Sequence, residues 1–293
     1  MKTLIIGSEG TIGRHLIKLI PDAVGVDIIL DNEYRCDLRD PLSVEACFQK
    51  FRPDQVVLLA SAVGRVRCTS FPKDSLEINV NGCMNVITAI LKYTPNARLL
   101  YTGTSESYGD LLYRSVSEDD RYVFPSYRGI YSLTKMMAEK LIEFHIKNFQ
   151  LKASIVRLFM CYTEDGSTSN DQTAISRMMR SALKGEPIEV HSQTSRSWCH
   201  VEDTVRGIKM VMDDWATNTF CNIGNTEEFI SNEVLALKIK ELTKSKSQLN
   251  IIADKPADIY PHKRFTSMAN SLYGFEPKIT LTEGLERMYN AWK

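Results

Sequence analysis

Residues 1–27 read MKTLIIGSEGTIGRHLIKLIPDAVGVD, and this stretch decides the fold. A short run of β-forming residues leads into Gly7, Gly10 and Gly13, and an amphipathic segment follows. Gly7 allows a tight turn out of the strand, Gly10 allows the backbone to approach a pyrophosphate, and Gly13 allows the next helix to pack close to the sheet. The order of strand, glycine-rich turn and helix predicts a dinucleotide-binding βαβ unit.

A carboxylate completes this pattern. The second strand of the stretch ends at Asp27, about 20 residues past Gly7. An acid at this place accepts hydrogen bonds from the adenosine ribose hydroxyls and repels the additional phosphate of NADP, so it favours NAD. The helix beginning near Thr11 would direct its free N–H groups at the phosphates. The alternative, a glycine-rich turn without a ligand, does not explain why strand, helix and acid all stand in the required order.

The bulk composition excludes several classes of function. The 36 basic and 36 acidic residues cancel, so the sequence carries no electrostatic footprint for nucleic acid or an anionic membrane. Apolar runs stay well short of the roughly 20 residues of a membrane span, and the first residues lack a signal-peptide pattern, so we expect a cytoplasmic protein. The seven cysteines form no CxxC pair and the five histidines do not cluster with them, which favours reduced thiols and argues against a metal site.

Strand-like and helix-like stretches alternate through the first half, which indicates an α/β fold with a doubly wound parallel sheet of the Rossmann type. The second half is irregular and predicts a smaller, discontinuous α+β substrate-binding lobe. We therefore expect residues 1–160 to form the dinucleotide-binding domain, with residues 196–217 returning to it. Residues 161–293 would form mainly the substrate lobe.

Hydroxyl and carboxylate side chains follow the strand expected at residues 98–102. Thr104 and Glu106 come at its carboxyl end, where chemistry on a bound ligand takes place in such sheets. Hydroxyl residues near a turn also serve as local backbone caps, and both interpretations fit the sequence alone.

Tyr131 and Lys135 stand four residues apart in a helix predicted over residues 130–149, so they share one face. An ammonium near a phenol lowers the phenol pKa and makes tyrosine a usable base. The same spacing recurs at Tyr289 and Lys293, where no active site is expected, so the spacing alone is unspecific. Only Tyr131 follows a strand that ends in hydroxyl residues within a nucleotide-binding pattern.

Further motifs extend along nearly the whole chain. They are LLASAVG (58–64), NVNG (79–82), GTSESYG (103–109), YSLTK (131–135), LKGEPIEV (183–190), RSWCHVED (196–203), NIGN (222–225) and GFEPKITLTEGL (274–285). With the glycine-rich turn and the acids at Asp27 and Asp37, their order resembles the extended short-chain dehydrogenase/reductases of the nucleotide-sugar epimerase, dehydratase and decarboxylase branch.

This resemblance implies NAD as cofactor, a nucleotide-sugar substrate and a homodimer. Tyr131 would take the proton from a sugar hydroxyl, usually at carbon 4, while Thr104 binds the same hydroxyl and Lys135 holds the nicotinamide ribose. The cofactor-binding residues that it implies are Gly7, Gly10, Thr11, Ile12, Gly13, Asp27, Asp37, Leu38, Leu59, Ala60, Ala62, Asn79, Thr102, Tyr131, Lys135 and Leu158.

The same resemblance bears on the reaction. Ser105 and Glu106 are similar to the residues of 4,6-dehydratases and UDP-glucuronate decarboxylases, where a carboxylate helps to eliminate water or carbon dioxide. The stretches RGIYS (128–132), NIGNTEEF (222–229) and GFEPKITLTEGL (274–285) favour the decarboxylases. Alternatives are a 4-epimerase, a 4-keto sugar reductase or, in another class, a non-catalytic NAD-binding regulator.

Two positions concern the substrate. Met160 stands where many relatives carry asparagine, so the usual contact to the sugar or its phosphate is in question. Arg196 is a candidate for binding the substrate diphosphate, although an arginine next to Glu202 and Asp203 is more often part of a structural ion pair.

Overall fold

A computed structural model describes residues 1–113, 115–122, 129–165, 173–192, 194–214, 219–253 and 268–293. Arg128 of the RGIYS motif and residues 215–217 of the expected returning segment lie outside these ranges. The strands are β1 (Thr3–Ile6), β2 (Val24–Val26), β3 (Gln55–Leu58), β4 (Arg98–Thr104), β5 (Lys152–Leu158), β6 (Cys161–Tyr162), β7 (Ile188–His191), β8 (Ser195–Ser197), β9 (Cys199–His200), β10 (Phe220–Ile223), β11 (Phe229–Ser231) and β12 (Leu249–Ile252). The helices are α1 (Thr11–Leu19), α2 (Pro41–Phe51), α3 (Arg65–Ser70), α4 (Pro72–Leu76), α5 (Gly82–Tyr93), α6 (Ile130–Phe149), α7 (Ala174–Lys184), α8 (Val201–Asp213), α9 (Asn232–Thr243), α10 (Met268–Tyr273) and α11 (Leu281–Trp292).

A six-stranded sheet with the order β10-β5-β4-β3-β1-β2 carries the first half of the chain. Its neighbours pair in parallel, for example β1 with β2 and β3, and β4 with β5. Every residue of β1, β3 and β4 is buried, as expected for parallel strands covered on both faces. The chain leaves β1 toward β2 and later returns to β3 on its other side, which creates the crevice where such sheets bind ligands. The predicted Rossmann-type fold class is confirmed.

The described chain divides into two compact units. The first comprises residues 1–107, 129–158 and 205–221, and the second comprises residues 108–128, 159–204 and 222–293. The returning segment therefore begins later than the expected residue 196, because Ser195–Ser197 pairs antiparallel with Phe229–Ser231 inside the second unit. Residues 108–128 also belong to the second unit, rather than to the domain expected over residues 1–160.

The apolar pattern of residues 74–93 predicts one long helix, but the structure does not form it continuously. The chain forms α4, then one π-helical segment at Glu77–Asn81, and then α5. The π segment changes the direction of the side chains that follow it, because it adds a residue to the turn. Asn79 lies in this segment and is buried. The additional helix α3 precedes α4 and was not indicated by the sequence pattern.

Each unit has its own apolar core. In the first unit, buried side chains of the sheet pack with those of α2, α5 and α6, among them Leu4, Phe48 and Ile142. In the second unit, Trp198 and Tyr162 pack with apolar residues of α7, α9 and α11. Two short parallel pairs, β6 with β9 and β7 with β12, complete this unit.

Helix α6 carries exposed apolar side chains in addition to its buried face. Met137 is 39% exposed, and Phe144 and Phe149 are each 54% exposed. The homodimer implied by the family resemblance stays a prediction. Across the ranges that the structure describes, no helix combines the length and the apolar character needed to cross a membrane.

Candidate active site

The glycine-rich turn after β1 has no room for larger side chains. Gly7 adopts a φ of +94°, and a Cβ at this position would lie 2.5 Å from the backbone nitrogen of Ala60. A Cβ at Gly13 would lie 2.2 Å from the carbonyl oxygen of Gly7. Gly10 is different, since the nearest atom to its Cβ position is 3.4 Å away. The turn therefore needs glycine at two positions for its own packing and leaves open space at the third, as a cradle for phosphates requires.

Asp27 follows β2 directly and joins the glycine-rich turn. Its carboxylate accepts hydrogen bonds from the backbone N–H groups of Glu9 (3.1 Å) and Ile29 (3.3 Å). Each carboxylate oxygen has further lone pairs for other donors. The acid is therefore fixed next to the turn, which fits its expected role in binding a ribose.

Asn79 holds the segment that follows β3. Its side chain accepts from the backbone N–H of Ala62 (2.7 Å) and donates to the carbonyl of Ala62 (3.0 Å) and to the hydroxyl of Thr134 (3.0 Å). Next to it, the N–H groups of Leu59 and Ala60 both donate to the carbonyl of Ile6. Asn79 thus acts through the backbone of Ala62, a role that the spacing of the sequence could not reveal.

The two residues expected near the adenine, Asp37 and Leu38, both contact other residues of the protein. The Asp37 carboxylate pairs with Arg39 (2.8 Å), and the hydrogen bond from Arg39 lowers the pKa of Asp37. Leu38 is buried, and its side chain lies against Gly82 at the start of α5. Their contact with a cofactor stays a prediction.

Thr104 and Tyr131 form the centre of the candidate site. Thr104 is the last residue of β4, and Tyr131 lies in the first turn of α6. Thr104 and Glu106 both act on the phenol of Tyr131: the Thr104 hydroxyl lowers its pKa and the charge of Glu106 raises it. Ser105 is buried next to them. The first unit thus brings together the expected Thr104, Ser105, Glu106, Tyr131 and Lys135.

The pKa of Tyr131 moves in the direction opposite to our expectation. Burial raises it to about 12, the hydrogen bond with Thr104 lowers it, and the charges of Glu106 and Glu139 raise it further. The expected lowering is wrong for this arrangement, because burial of the phenol is the largest cause and raises the pKa. The phenol is therefore protonated at neutral pH, and its role as a base stays a prediction.

Lys135 is itself strongly affected by its surroundings. It is 3% exposed, and burial lowers its pKa to about 8. Its Nζ atom lies 4.4 Å from the centroid of the Tyr101 ring, whose face attracts a cation. At neutral pH the ammonium form still predominates, so the site holds a buried positive charge.

Two other expected cofactor residues lie at the ends of neighbouring strands. The Thr102 hydroxyl donates to the carbonyl of Leu58 (2.9 Å) and so ties β4 to β3. Leu158 ends β5 opposite Thr104 in the parallel register. The predicted contacts of both with NAD stay predictions.

Met160 and Arg196 belong to the second unit. Met160 packs against the apolar core of that unit, and its carbonyl accepts from the N–H of Cys199 (2.9 Å). Arg196 lies on β8 and donates to the carbonyl of Ser195. The neighbouring acids have other contacts: Glu202 pairs with Arg287, and Asp203 accepts from the backbone N–H groups of Lys278 and Ile279.

Three further buried residues lie around the site and were not predicted from the sequence. Tyr101 lies under Lys135, and Glu139 forms a buried ion pair with Arg157 at 2.7 Å. The signals were present in the sequence. Glu139 continues the spacing of four from Tyr131 and Lys135, and Arg157 is a charged residue inside an apolar strand, a position that normally requires a partner.

A doubly wound sheet, a glycine cradle after its first strand and a Thr-Tyr-Lys cluster after its fourth define a dinucleotide-dependent enzyme of the short-chain dehydrogenase/reductase class. A family model described as the NAD dependent epimerase/dehydratase family matches residues 3–224. UDP-glucuronic acid decarboxylase 6 of Arabidopsis thaliana is 31% identical over 314 residues, covering 98% of this chain and 88% of that protein.

Solved structures agree on the fold. The UDP-glucose 4-epimerase of Thermotoga maritima superposes with a TM-score of 0.89 at 21% identity, covering 100% of this chain and 98% of that one. MoeE5, solved with UDP-glucuronic acid and NAD, has a TM-score of 0.84 at 26% identity and covers 99% and 98%. The chain belongs to the NAD-dependent epimerase/dehydratase family, and its cofactor is NAD.

Proposed function

We propose that this enzyme oxidises the carbon-4 hydroxyl of a nucleotide-linked sugar and then removes carbon dioxide, as a UDP-glucuronate decarboxylase does. The observation that carries the proposal is the placement of Thr104 at the end of β4 and of Tyr131 in the first turn of α6, with Thr104 and Glu106 both acting on the phenol. Its support in the comparisons is the similarity over 98% of the chain to UDP-glucuronic acid decarboxylases.

The residues of the chain fit this first step. The step requires Tyr131 as the phenolate, to which the Thr104 hydroxyl would donate. The phenolate oxygen takes the proton of the sugar hydroxyl and becomes the neutral phenol. Bound NAD supplies the acceptor for the hydride of carbon 4. The glycine-rich turn, Asp27, Ala60 and Ala62 would hold the cofactor. The Lys135 ammonium stabilises the negative charge that develops on the phenol and sugar oxygens.

The second step depends on the ketone at carbon 4. A ketone next to carbon 5 accepts the electron pair of the carboxylate bond when carbon dioxide leaves, and carbon 5 then needs a proton. In our proposal, Glu106 orients the sugar and passes a proton from water to carbon 5, because its charge acts on Tyr131 in the first unit. Carbon 4 then takes its hydride back and its oxygen takes the proton back from Tyr131, which restores the hydroxyl and NAD. Arg196 would bind the diphosphate of the substrate.

A second candidate is a 4,6-dehydratase. It uses the same first step, and a carboxylate in the position of Glu106 takes the proton of carbon 5 so that water leaves from carbon 6. The position of Glu106 beside Tyr131 favours either elimination over a 4-epimerase or a 4-keto sugar reductase. A non-catalytic NAD-binding regulator would have no use for the complete Thr104, Tyr131 and Lys135 set.

Product analysis separates these reactions. The protein is incubated with NAD and, separately, with UDP-glucuronic acid, UDP-glucose and GDP-mannose, and the products are followed by mass spectrometry and by the absorbance of reduced nicotinamide. We expect UDP-glucuronic acid to lose the mass of carbon dioxide. Loss of the mass of water from a neutral sugar would favour the dehydratase. A product of unchanged mass would favour an epimerase. Binding of NAD without turnover of any sugar would favour the regulator.

A further inference from the structure

We propose that Glu139 and Arg157 are positioning residues for the reaction. The structure assigns them the task of fixing the helix that carries Tyr131 and Lys135 against the strand end that carries Thr104. This inference rests on the proposed function for its catalytic readout, but the arrangement itself belongs to the first unit alone.

The ion pair is buried and geometrically well defined. Glu139 is 1% exposed and Arg157 is fully buried. The Arg157 Nε atom donates to both carboxylate oxygens at 3.2 Å, and Nη2 donates to Oε2 at 2.7 Å. Contacts of this forked kind fix orientation as well as distance. Since Glu139 lies on α6 and Arg157 on β5, the pair locks the helix to the sheet in one register.

The same carboxylate also touches the chain on both sides of Thr104. A Cβ at Gly103 would lie 2.4 Å from Oε1 of Glu139, so only glycine allows the carboxylate to approach β4 this closely. On the other side, the hydroxyl of Ser107 donates to Oε1 at 3.3 Å. Any rotation or sliding of α6 relative to residues 103–107 would break these contacts. The distance between Tyr131 and Thr104 therefore depends on Glu139.

Arg157 has a second contact that limits its movement. Its guanidinium lies 4.8 Å from the centroid of the Phe220 ring at the start of β10. Removing two charges from water costs free energy, and this cost offsets much of the attraction between them. Well-packed apolar residues at the same positions would often make the protein equally stable. Stability alone therefore does not explain this ion pair, whereas a role in positioning Tyr131, on which the charge of Glu139 acts, does.

The charge of Glu139 also acts on Lys135. The groups facing this ammonium are Cys68 on α3, Cys83 on α5, the Tyr101 ring on β4 and Glu139 on α6. Burial lowers the pKa of Lys135, and the negative charge of Glu139 opposes this shift. Loss of the carboxylate would therefore make Lys135 release its proton at a lower pH.

The test uses the full-length protein with Glu139→Gln, the double variant Glu139→Gln with Arg157→Met, and a control. The double variant leaves neither an isolated buried charge nor a large cavity, so it keeps the test valid should the single variant fail to fold. Glu143→Gln is the matched control, because Glu143 lies one turn further on α6 and pairs only with Lys140 among the contacts described.

We expect kcat of both Glu139 variants to fall at least tenfold at an unchanged KM and NAD affinity, because a displacement of about 1 Å in an active site can cost about 100-fold. Glu143→Gln should keep kcat. A merely structural role predicts fewer folded molecules with a normal kcat per folded molecule. Double-variant kcat within twofold of the wild type, measured per folded molecule, would overturn the proposal.

A second readout does not depend on any sugar. The contribution of Lys135 to thermal unfolding between pH 7 and pH 10 is obtained as the difference between Glu139→Gln and the wild type, since other buried groups titrate equally in both. In Glu139→Gln the increase of stability due to Lys135 should begin at a lower pH than in the wild type. An unchanged pH profile of unfolding would contradict the electrostatic part of the proposal. If the wild type turns over none of the nucleotide sugars, the proposed function fails, while this readout still decides whether Glu139 acts on Lys135.

Discussion

The ammonium nitrogen of Lys135 lies 4.4 Å from the ring centroid of Tyr101, and both side chains are almost completely buried. A cation over an aromatic face recovers part of the hydration energy that it loses on burial. The recovery is incomplete, since burial lowers the pKa of Lys135 to about 8. The protein therefore keeps a charge at this position at a cost to its own stability, which is common for groups that act in catalysis.

Replacing Lys135 by methionine should stabilise the protein. The pKa falls from its ordinary 10.5 to about 8, a difference that corresponds to about 3 kcal/mol against the charged form. This cost is fully present below pH 8 and disappears as pH rises from 8 to 10.5, so the contribution of Lys135 to stability should rise over that interval. Buried Cys83 and Tyr131, whose pKa values are raised, act in the opposite direction in both proteins, so the difference between variant and wild type isolates Lys135. Methionine removes the cost but also the contact with Tyr101, worth about 1–2 kcal/mol.

We therefore expect the free energy of unfolding of Lys135→Met at pH 7 to exceed that of the wild type by about 1–2 kcal/mol. The rise between pH 8 and pH 10.5 should be smaller in the variant. Urea unfolding at several pH values measures both effects. A variant less stable than the wild type at pH 7, with an unchanged pH dependence, would contradict the assignment of a buried ammonium.

Replacing Tyr131 by phenylalanine should abolish turnover and leave NAD binding intact. The phenol moves the proton of the sugar hydroxyl, and loss of a positioned acid–base group typically costs about 100- to 10,000-fold in rate. Tyr289→Phe is the matched control, since Tyr289 and Lys293 have the same spacing but Tyr289 packs against the core of the second unit. Steady-state kinetics and NAD titration provide the comparison. Equal losses of turnover in Tyr131→Phe and Tyr289→Phe would contradict a catalytic role of Tyr131.

Replacing Asn79 by alanine should weaken NAD binding. Asn79 is 3% exposed and holds the backbone of Ala62 through two hydrogen bonds, so its loss frees the segment after β3 and leaves buried groups unpaired. We expect about a tenfold loss of NAD affinity and a loss of stability of about 1–3 kcal/mol.

The neighbouring Asn81 provides the control for this experiment. It lies in the same π-helical segment, is exposed and donates to Glu77 on the surface. Asn81→Ala should leave both NAD affinity and stability within experimental error, as surface changes usually do. Isothermal titration with NAD and thermal unfolding of the two variants decide between a local effect of Asn79 and a general weakness of the segment.

Alanine at Gly10 and at Gly13 should have different consequences. At Gly13 the new Cβ would lie 2.2 Å from the Gly7 carbonyl oxygen, so the variant must distort the turn and should lose stability. At Gly10 the nearest atom is 3.4 Å away, so the fold should tolerate the methyl group. The methyl group would instead occupy the space expected for the pyrophosphate.

Gly10→Ala should thus keep its unfolding temperature and lose NAD affinity, while Gly13→Ala should show a lower unfolding temperature even without NAD. Unfolding curves recorded with and without NAD compare the two variants directly. If Gly10→Ala bound NAD as tightly as the wild type, the pyrophosphate would not lie against this turn.

The sequence by itself determined the local elements and their order. The sequence pattern predicts helices over residues 41–51, 130–149 and 281–292, and the structure forms Pro41–Phe51, Ile130–Phe149 and Leu281–Trp292. Capping residues and the spacing of apolar residues act over a few positions, so they can be read locally. The glycine-rich turn and the shared face of Tyr131 and Lys135 follow from the same short-range geometry. The family followed from the order of motifs along the chain.

Only the tertiary structure decided the properties that depend on distant neighbours. The π-helical segment at Asn79 interrupts a pattern that predicted one helix, since three hydrogen bonds of a single side chain outweigh local helix geometry. The pKa of Tyr131 rises because burial is a property of the packed unit and not of its spacing from Lys135. The ion pair of Glu139 and Arg157 joins a helix and a strand that are separate in the sequence. The sequence shows that a charge lies inside an apolar stretch, but only the fold shows which residue pairs with it.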